Sequence, residues 1–314
     1  MSVFDKASAL ASSKTPFLII SDFKALHVKL YKLDELKSVE YVYDDNFEVK
    51  AHNIALHVEP VAFKEYKAKF DEIVENIKCG NTYLTNLTQS SKVSTCSSVK
   101  EIYESANAPY KLHFRDETEE FVSFSPEKFV EIVGNKIYTY PMKGTINASI
   151  PNASELILAD EKERAEHVMV VDLLRNDLGR VATGVHVEDF RYIQKIRAGD
   201  KELLHVSSKI SATLDENWQS SFGDIFKNLL PAGSISGTPK HKTLQIIDEV
   251  EGYERGFFSG VWGVFDGENF KSAVMIRFIE KSEDGLIYKS GGGITLDSDA
   301  LSEYEEMIAK VYVP

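Results

Sequence analysis

Short runs of alternating apolar and polar residues fill the chain before residue 63, for example HVKLYKL and NIALHVEPVAF. A period of two is typical of strands with one buried face. Residues 63–78 change to a helical period. The apolar residues on one face of that helix are Tyr66, Phe70, Ile73 and Ile77. CGNTYLTNLTQ then reads as a strand, so the pattern predicts N-terminal strands, a helix and a further strand.

The runs EKFVEIV and KIYTY flank a Gly-Asn pair, a two-residue turn typical of β-hairpins. If Val133 pairs with Lys136, Glu127 lies opposite the residue that precedes Lys143. Ideal alternation would place Glu127 and Lys143 on opposite faces of the sheet. A pocket shared by the two side chains therefore requires a bend or bulge near Pro141.

The second half of the chain mixes helices with hairpins. We predict a helix over roughly 160–176, a helix from Pro239 with Thr238 as its N-cap, and a last helix starting near Leu301. Residues 257–290 form a predicted meander with two Asp-Gly turns. Strict alternation of strand and helix is absent. The sequence predicts an α+β fold, a large single domain of mainly antiparallel sheets flanked by helices.

The 314 residues carry a net charge of -13, with 43% hydrophobic and 27% charged residues. This composition is typical of a globular protein and argues against nucleic acid or an anionic membrane as the main partner. No stretch approaches the length of a membrane span. Cys79 and Cys96 lack CxxC spacing, which favours a protein without disulfides in a reducing cytoplasm. An anionic substrate would need local cations or a metal ion.

Lys143 follows an aromatic strand in YTYPMKGT. Most lysines at strand ends face water, so a solvated charge is the default interpretation and an amine held for chemistry is the alternative. Glu166 lies on the apolar stripe of its helix with Met169, Val170 and Leu173. A bare carboxylate is costly there, which leaves a buried ion pair or a metal ligand.

The last helix carries Glu303, Glu306 and Lys310 on one side. This arrangement is either a solvated face with an ordinary ion pair or a second source of carboxylates for Mg²⁺. Arg277 ends an apolar strand, which suggests an internal ion pair or an anion site. His205 in ELLHVSSKI is a core histidine or a functional one.

Two glycine-rich segments do not match nucleotide-binding motifs. LPAGSISGTPKHK lacks the spacing of a Walker A loop, and SGGGI at 290–294 is no dinucleotide fingerprint. The glycines of SGGGI form either a flexible turn or a backbone that an anion can approach closely. The histidines show no zinc-binding spacing.

Seven segments, in order, resemble the chorismate-utilising enzymes over roughly residues 65–314. They are GNTYLTNLTQ, SFSPEKF, PMKGT, ERAEHVMVVDLLRNDLGRV, LPAGSISGTPKHKTLQIIDEVE, MIRF and GGGITLDSDALSEYEEMIAK. That family includes anthranilate, isochorismate, salicylate and aminodeoxychorismate synthases. At PMKGT the first two typically have alanine for Lys143, whereas aminodeoxychorismate synthases read PIKGT. The resemblance implies an anthranilate synthase component I-like fold, one chorismate-binding domain over 1–314, with 1–62 as shortened N-terminal strands and 63–314 as the core.

The resemblance also implies a role for each candidate residue. Lys143 corresponds to a nucleophile that attacks C2 of chorismate, favoured by an apolar pocket around Tyr138, Tyr140 and Met142. The other catalytic positions are Glu127, the general acid for the departing C4 hydroxyl, and His205, beside the substrate ring. The Mg²⁺ positions are Glu166, Glu306 and, directly or through water, Glu303. The substrate-binding positions are Arg277, Lys310, Gly292, Gly293 and Thr145.

The expected activity is that of aminodeoxychorismate synthase component I, using ammonia from a glutamine amidotransferase subunit for 4-aminobenzoate and folate synthesis. Neither cysteine resembles an amidotransferase nucleophile. The alternatives are anthranilate synthase component I and a non-catalytic chorismate-binding protein. Leu84 replaces a family glutamine, or the lysine of isochorismate synthases, which disfavours water activation. The short N-terminus suggests that a regulatory tryptophan site is absent or vestigial.

Overall fold

The computed structural model describes residues 1–44, 54–198 and 201–314. Its helices are α1 Val3–Ser12, α2 Phe63–Lys78, α3 Val99–Ser105, α4 Ala153–Ala159, α5 Glu161–Gly179, α6 Phe222–Leu229, α7 Lys240–Glu251 and α8 Ala300–Ala309. Its strands are β1 Phe17–Ser21, β2 Val28–Lys32, β3 Val39–Tyr43, β4 His57–Glu59, β5 Leu84–Ser94, β6 Tyr110–Arg115, β7 Glu120–Ser125, β8 Lys128–Val133, β9 Lys136–Thr139, β10 Met142–Asn147, β11 Thr183–Ala198, β12 Lys201–Thr213, β13 Gly237–Thr238, β14 Val261–Phe265, β15 Phe270–Val274, β16 Phe278–Ser282 and β17 Gly285–Ile294.

The predicted helices are present, with small differences at their ends. The helix α2 has the predicted bounds and buries its four predicted residues. In α8, Asp299 caps the N-terminus by accepting a hydrogen bond from the Ser302 amide. The predicted N-cap of α7 is wrong by one residue, because Pro239 has an extended ψ of 133° and the helix begins at Lys240.

The N-terminal prediction is correct only in part. The strands β1 to β4 are present, but a helix, α1, precedes them. Its start is marked by a capping box between Ser2 and Asp5. The alternating pattern of apolar and polar residues gives no indication of this helix start. Only Ala7 and Ala11 of this helix are buried. Part of the predicted NIALHVEPVAF strand, at residue 53, lies outside the described residues.

The described chain forms two compact units. The first comprises Met1–Leu36, Glu127–Ser234 and Ser259–Val274, and the second comprises Lys37–Pro126, Ile235–Phe258 and Met275–Pro314. Each unit contains one mainly antiparallel sheet, so the predicted α+β class is confirmed. The assignment of 1–314 to one domain, with 1–62 and 63–314 as its parts, stays a prediction.

The sheet of the first unit has the order β10-β12-β9-β8-β15-β14-β1-β2, with β11 paired to β12. Its core is aromatic and lies against α6. The Phe222 ring of α6 is 5.3 Å from Phe17 and 4.9 Å from Phe270, measured between ring centroids. Such pairs contribute beyond their buried area. This packing holds α6 against β1 and β15.

The sheet of the second unit has the order β13-β5-β17-β16-β7-β6-β3, with β4 paired to β5. The helices α2, α7 and α8 cover part of it. Leu87 of β5 and Ile294 of β17 contribute to one buried cluster with Ile73, Ile246 and Met307 from the three helices. The cluster fixes α8, and hence Glu303, Glu306 and Lys310, against the glycine-rich end of β17.

The predicted meander over 257–290 is wrong as a single element. The hairpin β14–β15 belongs to the first sheet, and β16–β17 belongs to the second. The chain changes sheets between Val274 and Phe278, where Arg277 has a left-handed φ of +52°. That conformation is unfavourable in a strand for a residue with a side chain. Both Asp-Gly turns were correctly placed, but the link between the hairpins is not a turn within one sheet.

Two further sequence predictions concern the whole chain. Cys79 and Cys96 are both free and exposed, as expected for a chain without disulfides. Among the described residues, no helix combines the length and apolar character that a membrane crossing requires.

A buried ion pair joins α7 to the sheet of the second unit. Arg255 donates to both carboxylate oxygens of Glu251, at 2.8 and 2.6 Å, and each side chain is 2% exposed. The Thr88 amide also donates to Glu251, and Arg255 donates to the Asn86 carbonyl. Losing one partner of such a pair leaves the other charge buried and uncompensated.

We therefore expect Arg255→Met to lower the free energy of unfolding by about 3–5 kcal/mol, measured by urea denaturation. The matched control is Arg175→Met, which removes an exposed helical pair with Asp172 and should cost about 0–1 kcal/mol. Equal losses in the two variants would show that burial does not govern the contribution of Arg255.

Candidate active site

The predicted hairpin delivers Glu127 and Lys143 to one region of the first unit. Val133 pairs with Lys136, which confirms the predicted register. The β9 strand ends at Thr139, and β10 begins at Met142 with a new partner, β12. The chain therefore bends at Tyr140–Pro141, as required for the two side chains to share a pocket.

A β-bulge follows that bend. The pairing of β10 with β12 shifts between Met142 and Thr145, so Lys143 and Gly144 lie outside the regular ladder. Gly144 has a φ of +88°, which residues with a side chain rarely adopt. A Cβ at this position would also lie 3.4 Å from a carboxylate oxygen of Glu163. The bulge thus reorients Lys143 relative to the rest of β10.

The Lys143 amine contacts the carboxylate of Glu166 on α5. The Nζ–Oε2 distance is 3.2 Å, and the two side chains are 26% and 11% exposed. The carboxylate is therefore buried in an ion pair, as one of the two sequence interpretations predicted, and its partner is Lys143. The default interpretation of Lys143 as a solvated charge does not describe this contact.

Glu127 immediately precedes β8, and its backbone carbonyl accepts a hydrogen bond from the Val274 amide. The residue is partly exposed, yet burial of its carboxyl raises the pKa, and this outweighs the opposing effects of a Ser234 hydrogen bond and the Lys143 charge. A raised pKa favours the protonated acid, the form that a proton donor needs.

His205 lies opposite Thr145 in the pairing of β12 with β10. Its Nε2 is 3.3 Å from the Thr145 hydroxyl, and its Nδ1 is 2.7 Å from the Met142 sulfur. Burial lowers the pKa of His205, which favours the neutral imidazole. The structure thus brings together four predicted site positions around the bulge: Lys143, Thr145, Glu166 and His205.

The expected apolar surroundings of Lys143 stay a prediction, and two of their three residues have other lysines as neighbours. The Tyr138 ring faces Lys209, with the amine 4.6 Å from the ring centroid, and the Tyr140 ring faces Lys128 at 5.0 Å. Met142 remains next to His205.

The second unit groups other predicted residues at one end of β17. The Lys310 amine donates to the Gly291 carbonyl at 3.0 Å and lies 2.7 Å from a Glu306 oxygen. Glu303 accepts a hydrogen bond from Ser298. A Cβ on Gly292 would lie 3.4 Å from Glu303 and 3.6 Å from the Lys310 amine. Gly292 therefore keeps open the space beside these two charged groups.

The glycines of SGGGI lie within a strand, so the interpretation as a flexible turn is wrong. Gly292 pairs with Leu87 and Gly293 with Asn86. A Cβ on Gly291 would lie 2.4 Å from the Leu87 carbonyl oxygen. At Gly291, the absent side chain thus permits close approach of the protein's own backbone.

Arg277 lies in the segment between β15 and β16. Its guanidinium donates a hydrogen bond to the Lys310 carbonyl at 2.9 Å. The guanidinium carbon is 4.9 Å from the centroid of the Tyr312 ring. These contacts anchor the side chain to the end of α8. They connect Arg277 and Lys310, the two cationic positions assigned to substrate binding.

The carboxylates assigned to Mg²⁺ have suitable donor chemistry. Mg²⁺ prefers oxygen ligands, and it commonly takes only one or two protein carboxylates together with water and substrate oxygens. Across 1–44, 54–198 and 201–314, no group of three or more His, Cys, Asp or Glu side chains is arranged to hold a metal ion. Glu166 and Glu306 each face a lysine amine. Each carboxylate, taken within its own unit, offers the oxygen ligands that Mg²⁺ prefers.

Sequence reasoning missed three residues beside the Lys143–Glu166 pair. His167 is fully buried, and its Nε2 is 2.7 Å from the Ser208 hydroxyl. The Ser208 hydroxyl also accepts a hydrogen bond from the Arg191 amide. Burial lowers the pKa of His167 to about 4, with the Arg191 and Lys143 charges adding to the effect. The available signal was helical spacing, which places His167 on a stripe with buried Val170, Val171 and Leu174.

Tyr66 was predicted only as a core residue of α2. It is fully buried, and burial together with the charges of Glu303 and Glu306 raises its pKa well above the ordinary value. Its phenol therefore stays neutral beside the two carboxylates. The sequence of α2 alone could not predict that Tyr66 lies near Glu303 and Glu306, because this proximity depends on the packing of α2 against α8.

Comparison with known proteins gives concordant matches. A family model described as chorismate binding enzyme matches residues 26–314. A Haemophilus influenzae protein described as an uncharacterized PabA-like protein is 43% identical over 317 residues, covering 99% of this chain and 95% of that protein. Aminodeoxychorismate synthase component 1 of Bacillus subtilis is 30% identical over 304 residues, covering 93% of this chain and 63% of that protein.

The fold also matches a solved structure. Anthranilate synthase component I from Streptococcus pneumoniae has a TM-score of 0.72 and 26% identity, over 83% of this chain and 60% of that one. This confirms the predicted anthranilate synthase component I-like fold. The chain spans less than two thirds of this structure and of the Bacillus subtilis protein.

Proposed function

This chain belongs to the chorismate binding enzyme family, and on that premise we propose that it converts chorismate and ammonia to 4-amino-4-deoxychorismate. The observation that carries the proposal is Lys143, an amine at a β-bulge in contact with Glu166. Its relatives include both an aminodeoxychorismate and an anthranilate synthase component. The lysine at PMKGT supports the aminodeoxychorismate synthase activity over the anthranilate synthase activity.

The proposed reaction has two displacement steps. The Lys143 amine, after losing to water the proton that it carries in the ion pair with Glu166, attacks C2 of chorismate, the ring double bonds shift, and the C4 hydroxyl leaves as water after protonation by Glu127. Ammonia then attacks C4, the double bonds shift back, and the lysine is expelled from C2. The net change is replacement of the C4 hydroxyl by an amino group, with release of water. The raised pKa of Glu127 supports its role as the acid.

Chorismate is a dianion, so this acidic chain needs local positive charge to bind it. We assign one substrate carboxylate to Arg277, Lys310 and the backbone of Gly292 and Gly293. The carboxylates proposed as Mg²⁺ ligands are Glu166 and Glu306, with Glu303 in support. When bound, Mg²⁺ would neutralise the other carboxylate. His205 and Thr145 would contact the substrate ring.

Leu84 supports amination over hydration. Its side chain is apolar and 4% exposed, at the position where the isochorismate synthases carry a lysine. Leucine can neither deprotonate nor orient a water molecule. Addition of water to the ring therefore lacks a base at this position, which disfavours isochorismate and salicylate as products.

The product identifies the reaction. Purified chain should be incubated with chorismate, Mg²⁺ and ammonium, and the products analysed by mass spectrometry and fluorescence. Aminodeoxychorismate retains the enolpyruvyl group, whereas anthranilate is fluorescent and forms with loss of pyruvate. Anthranilate as the main product would replace the proposal by anthranilate synthase component I. Chorismate binding without turnover would favour a non-catalytic protein.

We further propose that a separate glutamine amidotransferase subunit supplies ammonia, and that the product leads to 4-aminobenzoate and folate. Cys79 and Cys96 are exposed and lie in contexts unlike an amidotransferase nucleophile. The chain alone should therefore aminate chorismate with ammonium but show no activity with glutamine, measured by product formation with each nitrogen source. Glutamine-dependent turnover by the isolated chain would contradict the need for a partner.

A further inference from the structure

Ser208 of β12 makes hydrogen bonds to both segments that carry the Lys143–Glu166 pair, the segment leading into β10 and the helix α5. Its backbone amide donates to the Pro141 carbonyl at 2.9 Å, two residues before Lys143. Its hydroxyl lies 2.7 Å from Nε2 of His167, one residue after Glu166. The side chains of Ser208 and His167 are both fully buried.

Arg191 fixes the direction of the Ser208 hydroxyl. The Arg191 amide donates to the Ser208 oxygen at 2.9 Å, which leaves the hydroxyl hydrogen available for Nε2 of His167. Arg191 has a left-handed φ of +53° and its guanidinium donates to the carbonyls of Ile157 and Leu158 at the end of α4. Because several contacts hold Arg191 in this conformation, the donor to Ser208 is fixed in place.

We propose that Ser208 and His167 are positioning residues that set the geometry of Lys143 relative to Glu166. The inference rests on the proposed function of Lys143. Lys143 comes from β10 and Glu166 from α5, and the Pro141–Ser208–His167 connection is a short path between the two elements. A buried hydrogen bond is strongly directional, and an unmade one is costly. This connection therefore resists sliding or rotation of α5 against β10.

The proposal predicts a loss in turnover rather than in substrate affinity. Neither residue is assigned to substrate, and Ser208→Ala retains the backbone bond to Pro141. Without the hydroxyl, α5 can shift relative to β10, and displacements of about 1 Å can cost on the order of 10²-fold in rate. We expect kcat to fall about tenfold or more, with KM for chorismate little changed.

The test compares Ser208→Ala, His167→Leu and His167→Gln. Glutamine can keep a polar acceptor near the position of Nε2, whereas leucine fills similar space without one. Ser208→Ala and His167→Leu should lower kcat, and His167→Gln should retain most of it. Thermal unfolding identifies folded variants, and Ser208→Ala carries the test if His167→Leu does not fold.

A second readout does not depend on catalysis. The rate at which an amine-modifying reagent labels Lys143, followed by peptide mass spectrometry, should rise in Ser208→Ala and His167→Leu. The Lys310–Glu306 pair of the second unit provides an internal control, and its labelling should not change. If the wild type makes no aminated product, the proposed function fails while Lys143 labelling still tests positioning.

Two outcomes would overturn the proposal. One is that folded His167→Leu and Ser208→Ala match the wild type in kcat and in Lys143 labelling. The other is that His167→Gln loses as much activity as His167→Leu, because the effect would then arise from packing of the imidazole and not from the hydrogen bond.

Discussion

Lys143→Ala is expected to lower the rate of aminodeoxychorismate formation by about 10³-fold or more, because ammonia loses the covalent route to C4. Binding of chorismate should largely persist, since Arg277 and Lys310 lie in the second unit and are unchanged. Traces of an anthranilate-type product are expected from direct attack of ammonia at C2. The measurement is product mass spectrometry at saturating ammonium.

Lys143→Arg is the matched control for this prediction. The alanine variant removes both the nucleophile and the partner of Glu166, whose side chain is only 11% exposed. Arginine keeps a positive charge beside Glu166 but stays protonated and cannot act as a nucleophile. Both variants should lose aminodeoxychorismate formation to a similar extent, and the arginine variant should be the more stable in thermal unfolding. Near wild-type turnover in either variant would show that Lys143 is not the nucleophile.

Glu127→Gln is expected to lower turnover by about 10²–10⁴-fold, because glutamine cannot protonate the departing C4 hydroxyl. The wild-type rate should fall as the pH rises and Glu127 loses its proton, whereas the residual rate of the variant should lack this descending limb. The measurement is kcat/KM for chorismate across the pH range at saturating ammonia. A variant with unchanged rates would exclude Glu127 as the acid.

Glu127→Gln, which should lower turnover, should raise the stability of the folded chain. Burial raises the pKa of Glu127 above its ordinary value of 4.5, so the folded chain keeps a proton that the unfolded chain loses. The stability linked to this proton is fully present below pH 4.5 and is lost as the pH rises toward the folded pKa. Glu127→Gln should therefore gain in Tm relative to wild type as the pH rises above 4.5. A Tm difference that is constant with pH would show that the pKa of Glu127 is the same in the folded and unfolded chains.

The local sequence pattern was sufficient to predict those elements whose structure depends on residues close together in the chain. The bounds of α2 follow from its buried apolar face, and the register of β8 and β9 follows from the Gly-Asn turn, which allows few pairings. The burial of Glu166 was likewise readable from its position on an apolar stripe. The resemblance of seven ordered segments to one family supplied the fold and the candidate residues.

Contacts between segments that are distant along the chain could not be predicted from the local sequence pattern. The bulge at Lys143 and Gly144 arises from the pairing of Thr145 with His205, and no local signal near Lys143 specifies β12 as the partner. The split of the predicted meander depends on which sheet each hairpin joins. The engagement of Tyr138 and Tyr140 by Lys209 and Lys128 also depends on side chains brought together only by the sheet.

The sequence by itself determined the family, the α+β class, the hairpin that carries Glu127 and Lys143, and the carboxylate on the stripe of α5. These features follow from periodicity, turn chemistry and ordered motifs, which act over short distances along the chain. Only the tertiary structure decided that Lys143 contacts Glu166 and that Ser208 joins Pro141 to His167. Those contacts depend on the packing of α5 against β10 and β12, and packing is set by the whole unit.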